Sequence, residues 1–209
     1  MTLVALSASY GAGGSHIGPA LAERLGVPFL DRAIPAAVAE HLDVSLDDAA
    51  AHDEESPGAN FLERVLRGFI GSDLGAPTPV PAETFSGEDF RRATEEVLLR
   101  QADAGEGVIL GRGSVIVLRE DPRVLRVRLD GPSERRIQQA VRLAGIPEKT
   151  ARETIQRIDR THADYARQFY GVDIRDPSLY HLMIDSTAID IPACVELIAS
   201  AVTSLARSS

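Results

Sequence analysis

Short apolar runs alternate with helical stripes along most of this chain. Leu3, Val4, Ala5 and Leu6 form the first run, and Ile17, Leu21 and Leu25 follow four residues apart, a spacing that predicts a helix stopped by Gly26. The run from Val27 to Leu30 predicts a short second strand ending at Asp31, and residues 33–42 a further helix. Phe90, Val97 and Leu98 give a helical face that ends at Gly105, with Ser86 and Asp89 at the spacing of a capping box. Val108, Ile109 and Leu110 predict a third strand, and the partly alternating run from Val124 to Leu129 a fourth, ending at Asp130 and Gly131. Ser133 is then placed to cap a helix whose stripe is Ile137, Ala140, Val141 and Ala144, closed by Gly145 and Pro147. A long helix over 148–170, a last strand from Tyr180 to Ile184 and a closing helix carrying Val195, Ile198, Val202 and Leu205 complete the pattern. Strands and helices in this alternation predict an α/β fold: a parallel sheet of about five strands between two layers of helices.

The pattern breaks between residues 43 and 82. Asp43, Asp47, Asp48, Asp53, Glu54 and Glu55 crowd one stretch with no basic residue among them, and Pro77, Pro79 and Pro81 predict an extended stretch. Between them Phe61, Val65, Leu66 and Phe69 form a single helical stripe. We read 43–82 as an acidic, proline-rich insert on one domain spanning 1–209, not as a second domain.

Composition changes this picture little. The hydrophobic share of 44% and the charged share of 25% are those of a folded globular chain. No apolar run reaches the roughly 18 residues a membrane span needs, the first residues lack a basic leader, and the lone Cys194 cannot support an internal disulfide framework. These features lead us to expect a cytoplasmic protein. A net charge of -9 argues against general binding to nucleic acid or anionic membranes. The arginines are concentrated between Arg112 and Arg167, which suits a small phosphorylated ligand better than a polyanion.

The candidate chemistry begins directly after the first strand, at Ser9-Tyr10-Gly11-Ala12-Gly13-Gly14-Ser15. A glycine-rich turn between a strand and a helix lets backbone N–H groups and the helix dipole hold a phosphate. The dinucleotide fingerprint Gly-x-Gly-x-x-Gly fails, because its third glycine falls on His16. The Walker pattern laid over residues 8–15 keeps Gly13 and Ser15, but has Ala8 for the first glycine and Gly14 for the lysine. The charge that lysine brings to the β- and γ-phosphates must then come from an arginine. Ser15 stands where a hydroxyl can bind Mg²⁺ or cap the first helix, and Asp31 can approach Mg²⁺ through water or cap the helix after it.

On the long helix, Ile155, Ile158, Tyr165 and Phe169 share one face, which also takes His162 as a packed residue. Arg157, Arg160, Asp164 and Arg167 share another. That arginine stripe can close over phosphates, or it can be a solvated face with Arg160 and Asp164 paired at i, i+4.

The segments Ser9-Tyr10-Gly11-Ala12-Gly13-Gly14, Pro28-Phe29-Leu30-Asp31-Arg32 and Val108-Ile109-Leu110-Gly111-Arg112-Gly113 resemble, in order and spacing, the cytidylate kinase-like family of P-loop proteins. Asp159-Arg160 and Ile184-Asp185-Ser186-Thr187 fit the same family. The resemblance implies a three-layer P-loop fold and an ATP-dependent phosphotransferase, with Mg²⁺, acting on CMP or a related small acceptor. It places ATP on Tyr10, Gly11, Ala12, Gly13, Gly14, Ser15 and His16, with Arg136 nearby, and Mg²⁺ on Ser15 and Asp31. It places the acceptor at Asp31, Arg32, Arg112 and Asp185, makes 148–171 a lid-like helix, and gives Arg112, Arg160 and Arg167 the catalytic role of clamping phosphates. The chain departs from the family where Gly113 replaces an aspartate, His162 replaces the second lid arginine, and Ser15-His16 stands where relatives often carry Arg-Glu. Two other readings stay open: a nucleotide-binding regulator without phosphoryl transfer, and a kinase for a non-nucleotide acceptor.

Overall fold

The computed structural model describes residues 2–30, 87–111 and 113–208. The expectations for 33–42, for the 43–82 insert and for the Ser86 cap lie outside the described residues, as do Asp31, Arg32 and Arg112.

A five-stranded sheet has the order β2-β3-β1-β4-β5, with every neighbouring pair parallel. The strands are β1 (Thr2–Ala8), β2 (Phe29–Leu30), β3 (Glu106–Leu110), β4 (Val124–Asp130) and β5 (Leu182–Asp185). The most apolar run is central, as parallel sheets buried on both faces require. Leu3, Val4, Ala5 and Leu6 of β1 are all buried, between Gly107–Leu110 on one side and Val124–Val127 on the other.

The helices are α1 (Gly14–Leu25), α2 (Gly87–Ala104), the single turn α3 (Ser114–Val117), α4 (Ser133–Ala144), α5 (Glu148–Tyr170) and α6 (Ile191–Ser208). One face of the sheet packs Val4, Leu6, Val127, Leu129 and Ile184 against Ile17 and Leu21 of α1 and Val195, Ile198 and Val202 of α6. A smaller core joins α4 to α5 through Ile137, Ala140, Ala151 and Ile155, with Tyr10 packed on it. The described residues contain no helix long and apolar enough to cross a membrane.

The chain divides into two compact units, Met1–Asp31 with Leu98–Ser209, and Arg32–Val97. The sheet and the glycine-rich loop belong to the first.

Most predicted elements stand within a residue or two of their expected ends, and α1 and α4 stop at Gly26 and Gly145 as their patterns require. Three local expectations change. Ser133 is the first helical residue of α4, whose N-cap is Pro132 with no side-chain cap bond. Ser15 lies inside α1, whose N-cap is Gly13, again without a side-chain cap. Tyr180 precedes β5, and a 3₁₀ turn, Pro177–Leu179, capped by the Asp176 carboxylate on the Ser178 N–H, fills the approach to the strand.

Candidate phosphate-binding site

The loop from Ser9 to Gly13 leaves β1 at the carboxyl edge of the sheet, where open α/β folds bind ligands. Several of its polar groups are fastened. The Ser9 N–H donates to Leu129 O at 3.1 Å, and the Ala12 N–H to Ser9 O at 3.0 Å. The Ser186 hydroxyl donates to Ala12 O at 2.7 Å, holding the loop to the turn after β5. Gly13 O accepts from the N–H groups of His16 and Ile17 and so starts α1.

Among the described residues no acceptor takes the N–H groups of Gly11, Gly13, Gly14 and Ser15. Those donors cluster at the N-terminus of a 12-residue helix, where the macrodipole adds positive potential. The arrangement fits a phosphate group. Gly11 is what permits it: its φ is +80°, and a Cβ there would lie 2.5 Å from the carbonyl oxygen of Arg136. The loop and α4 therefore touch backbone to backbone.

Two buried guanidiniums brace the loop from below. Arg128 of β4 is 5% exposed and donates to the hydroxyls of Ser7 at 2.8 Å and Ser9 at 2.7 Å, and to Asp130 at 3.2 Å. Arg136 of α4, its side chain 7% exposed, donates through Nε to Gly131 O at 2.9 Å and through Nη1 to Tyr10 O at 2.9 Å. The same Nη1 lies 2.8 Å from Oδ2 of Asp159 on α5, and Asp130 is 3.5 Å from Nε. Asp159 also accepts the Tyr10 N–H at 3.3 Å. A chain of charges thus runs from β4 through α4 to the long helix, and both backbone polar groups of Tyr10 are caught in it.

A second carboxylate lies beside this one. A Cβ on Gly131 would sit 2.6 Å from Thr187 Oγ1 and 2.8 Å from Asp185 Oδ1, so the turns after β4 and β5 are in close contact. Asp185 accepts from the Thr187 hydroxyl at 2.6 Å and from the Thr187 N–H, and pairs with Arg135. The Thr187 hydroxyl first, and then its N–H and the Arg135 charge, hold the Asp185 carboxyl below the ordinary carboxylate range. Any stability from this depression is present above the ordinary range and is lost as pH falls through the folded value. Thr187→Val should therefore move the Asp185 titration up toward the ordinary value, which a carboxyl-selective NMR titration reads directly.

The cytidylate kinase-like family matches residues 3–188, most of this sequence. The chain belongs to that family. Among curated proteins it is similar to the cytidylate kinase of Methanopyrus kandleri, 28% identical over 139 residues, covering 60% of this chain and 72% of that one. The cytidylate kinase of Methanocaldococcus jannaschii is 24% identical over 153 residues, covering 70% and 86%. Among solved structures, an uncharacterized protein from Eubacterium ventriosum has a TM-score of 0.68 at 16% identity, covering 98% of this chain and 99% of its own. Shikimate kinase from Bacteroides thetaiotaomicron has a TM-score of 0.52 at 16% identity, covering 97% and 98%. At that identity these two likenesses show the fold alone.

Within this family member the structure brings together Tyr10, Gly11, Ala12, Gly13, Gly14, Ser15 and His16 as one loop and helix start, with Arg136 directly beneath. Ser15 and His16 are exposed, with 3.3 Å between the Ser15 hydroxyl and His16 Nδ1. Asp185 ends β5, beside the turn after β4. Arg160 is 85% exposed and paired to Asp164 at 3.7 Å, and Arg167 is exposed too. His162 is half-buried. Sequence reasoning missed Arg128, Ser7 and the bridging role of Asp159. The signal for Arg128 was an arginine flanked by Val127 and Leu129, between two apolar positions of a strand. A charge in such a strand needs buried partners.

Proposed function

We propose that this chain transfers the terminal phosphoryl group of ATP to CMP or a closely related small acceptor. The observation that carries the reading is the set of partnerless N–H groups at Gly11, Gly13, Gly14 and Ser15, in a chain of the cytidylate kinase-like family. ATP lies along residues 10–16 in this reading. The acceptor is held by Asp31, Arg32, Arg112 and Asp185, and Arg160 and Arg167 come in from α5 over the phosphates. Phosphoryl transfer asks chiefly for positioning and charge neutralisation, which backbone amides and arginines supply. Mg²⁺ prefers oxygen donors, and the Ser15 hydroxyl with the Asp31 carboxylate and phosphate oxygens is a donor set of that kind. The substrates are small molecules in this reading, and the site of action is the cytoplasm.

One observation favours a second reading, a nucleotide-binding regulator without transfer. Position 14 has no room for the Walker lysine, because a Cβ there would stand 2.6 Å from the Cβ of Ala8.

Melting curves with ATP, ADP and CMP, each with and without Mg²⁺, followed by an assay for ADP formation, separate the two. A ligand at ten times its Kd adds about 1.4 kcal/mol of stability. Stabilisation by ATP and by CMP, with CMP-dependent ADP formation, is the expected result. Stabilisation by ATP with no ADP formed on any monophosphate selects the regulator, and no stabilisation by any nucleotide removes both readings.

A further inference from the structure

The loop in this structure already holds an anion, and that anion is its own. The Asp159 carboxylate accepts the Tyr10 N–H at 3.3 Å through Oδ1, and its Oδ2 forms an ion pair with the Arg136 guanidinium at 2.8 Å. An amide and a guanidinium converging on one oxyanion form a phosphate-binding pair. They sit at the leading end of the loop, one residue before the first free N–H at Gly11. We propose that Asp159 is a built-in competitor for the terminal phosphate of a nucleoside triphosphate, and that this phosphate takes its place on Tyr10 and Arg136 when it binds. The inference rests on the nucleotide reading of the site and adds to it the regulation of one end of the loop.

Three features make the exchange workable. Arg136 does not depend on Asp159 for its position: Nε stays on Gly131 O, Nη1 on Tyr10 O, and Asp130 remains 3.5 Å away. The cation is therefore still in place when the carboxylate leaves, and it supplies the charge that Gly14 cannot. Asp159 is 31% exposed, so its carboxylate can reach water without opening the core. It also lies on α5 directly beside Arg160, whose side chain faces solvent in this state. A carboxylate and a phosphate cannot share one amide and one guanidinium, because like charges at contact distance repel strongly in a partly buried site.

The test compares ATP with ADP. Binding of each to the wild-type protein and to Asp159→Ala is measured by calorimetry, with Asp159→Asn as a second variant that keeps an oxygen for the Tyr10 N–H but drops the charge. The expected result is ATP binding at least tenfold tighter in Asp159→Ala and ADP binding within twofold of wild type. Asp159→Asn should show the same contrast and decides the matter if the alanine variant does not fold. Parallel weakening of both nucleotides would make Asp159 a plain brace and overturn the proposal, and so would unchanged binding of both. Wild-type protein that binds neither nucleotide would instead remove the nucleotide reading, and the inference with it.

Discussion

Arg136→Met is expected to destabilise the protein by about 3 kcal/mol, because removing one partner of a buried ion pair strands the others. Methionine fills most of the space but offers no donor. Tyr10 O and Gly131 O would each lose their bond from this side chain, and Asp130 and Asp159 would face each other with their shared cation gone. Both carboxylates are about one-third exposed, so water relieves part of the penalty and the value belongs at the lower end of the range for buried pairs. The denaturant midpoint of the variant gives the number directly. Nucleotide affinity should fall as well, since Tyr10 is then held only by Asp159 and the loop loses its underlying charge. Arg136→Lys should recover only a small part, because an ammonium cannot serve Gly131, Tyr10 and both carboxylates as a planar fork does. A loss under about 1 kcal/mol for the methionine variant would show that the network is solvated and does not brace the loop.

This network also marks the limit of what the sequence made legible. The sheet was readable because most strands are short apolar runs and the helices between them carry stripes at a 3.6 period; Leu3 to Leu6 and Val108 to Leu110 are runs of the kind a parallel sheet buried on both faces takes. The glycine loop was readable because its glycines lie between a strand and a helix. The pairs Arg136–Asp159 and Arg128–Ser9 were not, since they join residues 23 and 119 positions apart, and local pattern holds no trace of such contacts. Motif matching named Arg136 as a neighbour of the nucleotide, and the geometry gives it several protein partners as well. The caps were misread for a related reason. Ser133 and Ser15 have the right side chains, but Pro132 and Gly13 take the cap positions through backbone geometry alone.

The missing lysine leads to the second large expectation: Gly14→Lys does not repair the loop but damages it. A Cβ at position 14 would lie 2.6 Å from the Cβ of Ala8 and 3.3 Å from Leu110 Cδ1. Ala8 cannot retreat, because it ends the central strand in register with Leu129. Nor can α1 back away, because the loop is pinned by Ser9 N–H on Leu129 O and by the Ser186 hydroxyl on Ala12 O. Overpacking of this kind costs roughly 2–3 kcal/mol. Gly14→Ala should cost nearly as much, which would separate the steric effect from the charge. The Walker pattern has glycine where this chain has Ala8, and lysine where it has Gly14. By the 2.6 Å contact, one methyl group fits between β1 and α1, on either side but not on both. Ala8→Gly combined with Gly14→Lys should therefore recover most of the stability lost by Gly14→Lys alone, a non-additive pair by double-mutant cycle. Only in that background can the ammonium reach the phosphates, and ATP should then bind more tightly than to the wild-type protein. If Gly14→Lys alone proves as stable as wild type, the contact between Ala8 and position 14 does not govern the loop, and the loss of lysine needs another cause.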